Sequence, residues 1–369
     1  MVAEASQTKN RRIFVTDCEG PISKNDNAFE LTSHFVPNGD KFFALISKYD
    51  DVLADVVKKP GYKAGDTLRL ILPFLKAYGA TNEKIREYSS KNTLLVPGAQ
   101  ETLQFVRDLM PSFIVSTSYE QYISSLCHLT SFPYDSVYCT KLNIDKYEMS
   151  KEEKKRLKEI RKEISTMSMV EIPANAKSVR DFSQRDQETA QKLDAIFWEE
   201  ISEMESGIML EEVNPVGGYE KAKAVQDIVE KLDSRLDNVM YVGDSITDVP
   251  PFQLVRKKGG LTISFNGNEY AIREAEFAVL SDHTIVTSVL AETFSRLGKD
   301  QVVRLIEEWN SSGLKKHCVA PTLRERMVKL YPAAFPQVEM IIADNRERLK
   351  KESCTFRKTV RGEAIGKLG

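Results

Sequence analysis

The run Arg12 to Ser23, RIFVTDCEGPIS, constrains this chain more than any other stretch. Ile13, Phe14 and Val15 are β-branched or aromatic and read as a buried strand. The strand stops at Thr16-Asp17-Cys18-Glu19-Gly20-Pro21, which sets two carboxylates one residue apart on its tip. Open α/β sheets collect their ligands at such tips. Two neighbouring acids there can divide the labour: one stays charged as nucleophile or metal ligand while the other is kept protonated. Taken alone, the same pattern describes a turn cap.

The rest of the chain repeats the motif. Pro97-Gly98 opens a helix through Met110, and Phe113-Ile114-Val115 is a strand ending in Ser116-Thr117-Ser118. Ser136 to Leu142 reads as another strand. A helix from Glu220 to about Leu232 precedes the strand Val239 to Val242, which runs into Gly243-Asp244-Ser245-Ile246-Thr247-Asp248. Leu261 to Phe265 and Phe277 to Leu280 are two more strands. Strand–helix alternation of this kind predicts an α/β fold with a parallel sheet.

Three stretches depart from the alternation. Residues 21–94 read as helical: Phe42, Ile46, Tyr49, Leu53 and Val56 repeat at helical spacing, Lys58-Lys59-Pro60-Gly61 stops them, and Pro73 breaks a second apolar run. Asn82 to Lys91 is a third helix. Residues 143–211 are densely charged, with Ser150-x-x-Glu153 and Ser183-x-x-Asp186 opening helices whose apolar stripes are narrow. Lys and Glu are interleaved there, which describes a solvated face and not a nucleic-acid site. From Thr284 onward the chain reads as helical with no further strand, and its basic tail after Asn345 reads as a frayed or docking arm.

Composition removes several classes of function. A net charge of -2 argues against a general nucleic-acid binder. The five cysteines, none in C-x-x-C spacing, fit a reducing cytoplasm and give no zinc site. No segment has the apolar length of a membrane span, and the N-terminus lacks a leader's apolar run.

Four elements should therefore project from one sheet edge: Asp17/Glu19, Ser116/Thr117, Lys221 (or Lys223), and Asp244/Asp248. Phosphoryl transfer uses this set. A carboxylate attacks phosphorus, hydroxyl and backbone N–H groups hold the phosphoryl oxygens, and a lysine offsets their charge. Further carboxylates bring Mg²⁺. Judged singly, each element has an ordinary structural reading: Asp244 and Asp248 as a helix cap, Ser116 as a turn, the lysine as surface. Cys18 reads as a small packing residue, Tyr119 and Tyr122 as helix packing, and the four histidines receive no role.

The order hhhhDxEG, hhhS, helix-opening Lys, hhhGDSxTD resembles the haloacid-dehalogenase-like superfamily of phosphohydrolases, in particular its phosphoserine-phosphatase-like members. More loosely, the DCEGP run and the two insertions resemble archaeal members named as subunit R of an energy-converting hydrogenase. The superfamily resemblance implies a Rossmann-like core over 1–20, 95–142 and 212–283. It leaves a helical cap over 21–94 after the first motif, a charged helical insertion over 143–211 and a helical C-terminal extension over 284–369. It further implies Asp17 as nucleophile and Mg²⁺ ligand, and Glu19 as acid, with its backbone carbonyl on the metal. Ser116, Thr117 and Gly20 would hold the phosphoryl group, Lys221 would pair with Asp17, and Asp244 and Asp248 would serve at the metal, Asp248 as ligand or as orienter of Lys221.

One departure stands out. Most phosphatases of the superfamily carry Asp where this chain has Glu19, a carboxyl shifted by about 1.5 Å. Phosphoserine:homoserine phosphotransferases resemble this chain in their D-x-E-G. The function so implied is a Mg²⁺-dependent phosphatase or phosphotransferase on a small phosphorylated metabolite. The competing expectation is a binding or regulatory subunit with little turnover, reached by a protein partner through the insertion or the C-terminal arm.

Overall fold

The computed structural model describes residues 11–173 and 175–368; the expectation about a leader concerns residues outside that range. Seven strands make one sheet: β1 Ile13–Thr16, β2 Ser112–Tyr119, β3 Val137–Thr140, β4 Val239–Gly243, β5 Leu261–Phe265, β6 Phe277–Leu280 and β7 Gln337–Met340. Their order is β3-β2-β1-β4-β5-β6-β7. The first six are parallel. The central β1 pairs with β2 on one side and β4 on the other, with Thr16 opposite both Ile114 and Val242. The chain thus leaves β1 to one side and returns on the other, and a crevice opens at the strand ends where the order reverses.

Alternation sorts the strand side chains onto two faces. Phe14, Met240 and Ile263 pack with Val286 and Val289 on one face. Ile13, Val15 and Tyr241 pack with Val225 and Ile228 on the other. Both faces are covered, which is why these strands read as continuous apolar runs.

Between β1 and β2 lie α1 (Asn27–Phe35), α2 (Gly39–Asp51) and α3 (Asn82–Asn92). Asp26 caps α1 by accepting the Phe29 N–H at 2.9 Å. The stripe from Phe42 to Val56 is buried, and a π-helical turn at Val52–Val57 carries it to its left-handed stop at Lys58. Leu68 to Leu75 splits into two short helices, with Pro73 in the first turn of the second, where its missing N–H costs nothing.

The charged insertion forms α4 (Lys151–Ser165) and α5 (Gln184–Ala195), capped by Ser150 and Ser183. Their stripes pack on the cap: Leu157, Ile160 and Phe197 share one core with Phe42, Leu70 and Phe74. Two segments distant in sequence therefore make one helical layer over the sheet edge.

After β4 and its neighbours the structure corrects two expectations. A strand does follow Thr284: β7 pairs antiparallel with β6. Its sequence, QVEM, buries only Val338 of four residues, so it carries no apolar run. Its main chain supplies partners to the edge that β6 would otherwise expose. Nor is the basic tail a frayed arm. With α6 (Tyr219–Lys231) and α7 (Ile285–Leu297) already in place, α8 (Arg346–Arg361) lies against the core and buries Leu349, Ser353, Arg357 and Arg361. The rest of the extension is helical as expected. Among the described residues no helix is long and apolar enough to cross a membrane.

Candidate active site

Asp17 leaves the end of β1 and Asp244 the end of neighbouring β4, so the sheet register sets them side by side. Asp17, Asp244 and Asp248 each turn an oxygen to a common point, these atoms lying within 4.8 Å of one another, and all three residues are buried. Lys221, in the first turn of α6, reaches the same point. Its Nζ donates to Asp17 Oδ2 at 2.6 Å and to Asp248 Oδ1 at 2.8 Å. Lys223, the alternative, is exposed and pairs with Glu220.

Burial alone would push the Lys221 ammonium down, but Asp17 and Asp248 outweigh it and hold it up, firmly charged. The Asp17 carboxyl is pushed up to about 7, burial outweighing the opposing pull of Lys221 with Asp248 and Asp244 adding to the rise. Asp248 has its oxygens filled. Oδ1 also accepts from Tyr241 at 2.7 Å, and Oδ2 accepts the N–H groups of Asp244 and Ser245 at 2.9 and 3.0 Å.

Glu19 lines the cavity between core and cap. Its Oε1 accepts the N–H of Asn27, the first residue of α1, at 2.7 Å. Burial pushes its carboxyl well above the usual range and Asp26 adds to this, while the Asn27 N–H opposes it. Burial thus favours the protonated form of this acid more than solvent would.

Ser116 and Thr117 line the cavity too. Ser116 is fully buried, bonded to the N–H and hydroxyl of Ser118 at 3.2 Å. The Thr117 hydroxyl donates to Val216 O at 3.2 Å. Gly20 requires a correction. Its N–H donates to Ser23 O at 2.8 Å, inside its own loop, so that N–H is not offered to a phosphoryl oxygen. What the position needs is space: φ is +101°, and a Cβ there would lie 2.1 Å from Asp244 Oδ2.

The cap closes on this edge through glycine contacts. A Cβ on Gly217 would meet Ala64 O at 2.3 Å, and one on Gly65 would meet Thr117 Cγ2 at 2.8 Å. The cavity between core and cap has a volume of about 100 Å³. Cys18 is buried as expected, whereas Tyr119 ends β2 and donates its hydroxyl to Leu68 O in the cap.

Two site residues escaped the sequence reading. Arg357 and Arg361 of α8 both pair with Asp244 Oδ2, Arg361 at 3.0 Å. Arg361 also donates from Nε to Lys24 O at 3.1 Å and from Nη2 to Asn25 O. The signal was their spacing: Leu349, Ser353, Arg357 and Arg361 recur every fourth residue, so the arginines continue the buried stripe of a helix.

The fold and these strand-end acids define a hydrolase of one family: the chain belongs to the haloacid dehalogenase-like hydrolases, whose family model matches residues 100–289. That stretch holds Ser116, Lys221, Asp244 and Asp248, and Asp17 lies outside it. The fold is shared with a gene product of Archaeoglobus fulgidus, at 26% identity and a TM-score of 0.79 over 97% of this chain and 99% of that one. A substrate-bound phosphoserine phosphatase complex matches at 14% identity and TM-score 0.47, covering 77% of this chain and 99% of its own. A phospho-aspartyl intermediate analogue of phosphoserine phosphatase matches at 16% and 0.42, covering 72% and 92%. No curated protein matches this chain.

Proposed function

We propose that this hydrolase is a Mg²⁺-dependent phosphatase, or phosphotransferase, that acts on a small phosphorylated metabolite through an aspartyl-phosphate on Asp17. The observation that carries the reading is the buried lysine between Asp17 and Asp248, beside Asp244, at the ends of adjacent parallel strands. Phosphate monoesters hydrolyse so slowly in water that accelerations of up to ~10²¹ are needed, and neutralising charge around an in-line attack is the term large enough to matter.

The donor set fits a small hard cation, being all oxygen. Asp17 and Asp244 would hold it with the Glu19 carbonyl. With Asp248 saturated and Asp244 Oδ2 taken by arginines, Asp248 serves better as the orienter of Lys221, and Asp244 offers Oδ1. When bound, Mg²⁺ supplies positive charge against the phosphoryl oxygens.

The chain's own groups perform the remainder. An Asp17 oxygen attacks phosphorus, and Lys221 offsets the charge on the equatorial oxygens. The Ser116 hydroxyl orients them. Glu19 gives its proton to the leaving oxygen, then takes one from the water that cleaves the acyl phosphate. Asn27 fixes the Glu19 side chain from the cap, which accommodates the longer acid. The cap covers the strand ends, which limits bulk water at the site and favours small esters. A cytoplasmic setting, with reduced thiols and free Mg²⁺, suits the site.

A phosphate-release screen of small phosphate esters with Mg²⁺ tests this. Turnover that is abolished by EDTA and by Asp17→Asn supports it. Turnover indifferent to both overturns it. No turnover across the panel, with a stoichiometric partner co-purifying, would instead support the regulatory subunit.

A further inference from the structure

Part of the catalytic cavity's wall belongs to neither core nor cap. Beyond Arg361, α8 ends at Gly362, whose φ of +86° turns the chain, and a short helix, Glu363–Gly366, brings Leu368 to the cavity. Leu368 packs against the apolar core of the cap. Among the described residues, the hydrogen bonds of the segment from Gly362 to Leu368 and the ion pair Lys367–Glu363 all stay within it and the last turn of α8. Apolar contact is therefore what seats Leu368 there.

A second cavity, of about 550 Å³, adjoins the first at this residue. Ser47, Asp51 and Leu368 line both, so they form the boundary between them. Ser47 and Asp51 come from α2, which the buried Phe42, Ile46 and Tyr49 anchor in the cap. Leu368 is the part of the boundary that the C-terminal segment supplies. The outer cavity takes its apolar surface from Phe29, Ala44 and Met169 besides Leu368. The two differ in what they hold. An apolar cavity of about 150 Å³ takes one benzene ring, so a catalytic cavity of about 100 Å³ has no room for an aromatic leaving group beside the phosphoryl group. The outer cavity has that room.

We propose that Leu368 is a specificity-determining residue: as the partition between the two cavities, it limits the leaving group to what the catalytic cavity holds. The inference rests on the phosphatase reading above and adds to it a size limit set by the C-terminal segment. Shortening this one side chain joins the cavities. An aryl group on the ester oxygen then reaches the apolar surface at Phe29, Ala44 and Met169.

The test uses methyl phosphate and 1-naphthyl phosphate, which share the phosphate and differ in the bulk of the leaving group. Their binding to the Asp17→Asn protein with Mg²⁺ is measured by calorimetry, so turnover is not required. With Leu368 in place, methyl phosphate should bind the more tightly. In Leu368→Ala the ratio of naphthyl to methyl affinity should rise at least about tenfold, the return on burying about two methylene-sized groups. Leu368→Met conserves volume and should keep the unsubstituted ratio. Far-UV dichroism and a cooperative melt establish that each variant is folded; if Leu368→Ala does not fold, Leu368→Val decides, with a smaller rise. An unchanged ratio in the shortened variant, an equal rise in Leu368→Met, or tighter binding of 1-naphthyl phosphate with Leu368 in place overturns the proposal, while methyl phosphate binding leaves the phosphatase reading standing. If neither probe binds, that reading falls and the inference falls with it. If the ratio rises as expected but no ester is hydrolysed by the wild-type enzyme, the partition stands and the phosphatase reading fails.

Discussion

Lys221 Nζ stands 2.6 Å from Asp17 Oδ2, both side chains withdrawn from solvent, with Asp248 2.8 Å away on the other side. One ammonium thus compensates two buried carboxylates. Removing it leaves like charges facing one another in a low-dielectric site. Lys221→Met should therefore cost about 3–5 kcal/mol of stability, the range for breaking a buried pair, besides abolishing turnover. Urea unfolding measures the first effect, and a midpoint unchanged from wild type would contradict it.

Gly20 answers to geometry and not to charge. Its φ of +101° and the 2.1 Å approach of a Cβ to Asp244 Oδ2 allow no side chain there. Gly20→Ala must displace Asp244 or refold the loop, with a backbone penalty of about 1–3 kcal/mol. Hydrolysis should fall sharply and require more Mg²⁺ for half-activation. A wild-type Mg²⁺ titration curve for this variant would show that Asp244 had not moved.

Arg361 holds the carbonyls of Lys24 and Asn25 as well as Asp244. Arg361→Met leaves buried acceptors unpaired, and the loss should be about 2–4 kcal/mol by unfolding. A loss under about 0.5 kcal/mol, the scale of ordinary surface substitutions, would mean that α8 contributes nothing to the site edge.

Asp50, in the cap, sets a pH dependence. Burial pushes its carboxyl up to about 7, against the bonds from Tyr62 and Gly65, while Asp66 and Asp51 add to the rise. An unfolded Asp titrates near ~3.9, so between the two values the folded chain binds more protons than the unfolded one. This contribution is present in full below about 4 and is lost as pH rises through about 7. The melting temperature should decline across that window, and less steeply in Asp50→Asn. Equal slopes would remove Asp50 as the cause.

The parallel core was legible because each strand is buried on both faces and ends in a distinctive polar tip. Asp17, Ser116, Lys221 and Asp244 could be picked out since strand ends and helix starts share one edge. What stayed hidden depends on long-range contact. β7 has a single buried residue, and its pairing belongs to the edge of β6 more than to its own composition. The charged insertion shows its stripe in sequence but not its partner, which is the cap. The resemblance puts Gly20 among the residues that hold the phosphoryl group; that its N–H is bound by Ser23 O depends on the fold of its own loop and is not visible in sequence. Arg357 and Arg361 belong to the tail that reads in sequence as a frayed or docking arm, and only the packing of α8 carries them to Asp244.

The central claim is covalent chemistry on Asp17. The enzyme is mixed with Mg²⁺ and a turned-over ester, quenched in acid within one turnover, digested and mapped by mass spectrometry. A phosphoryl group on Asp17, absent in Asp17→Asn, is the predicted result. An unmodified Asp17 peptide under conditions of active turnover, or a phosphoryl group on another residue, would contradict the account.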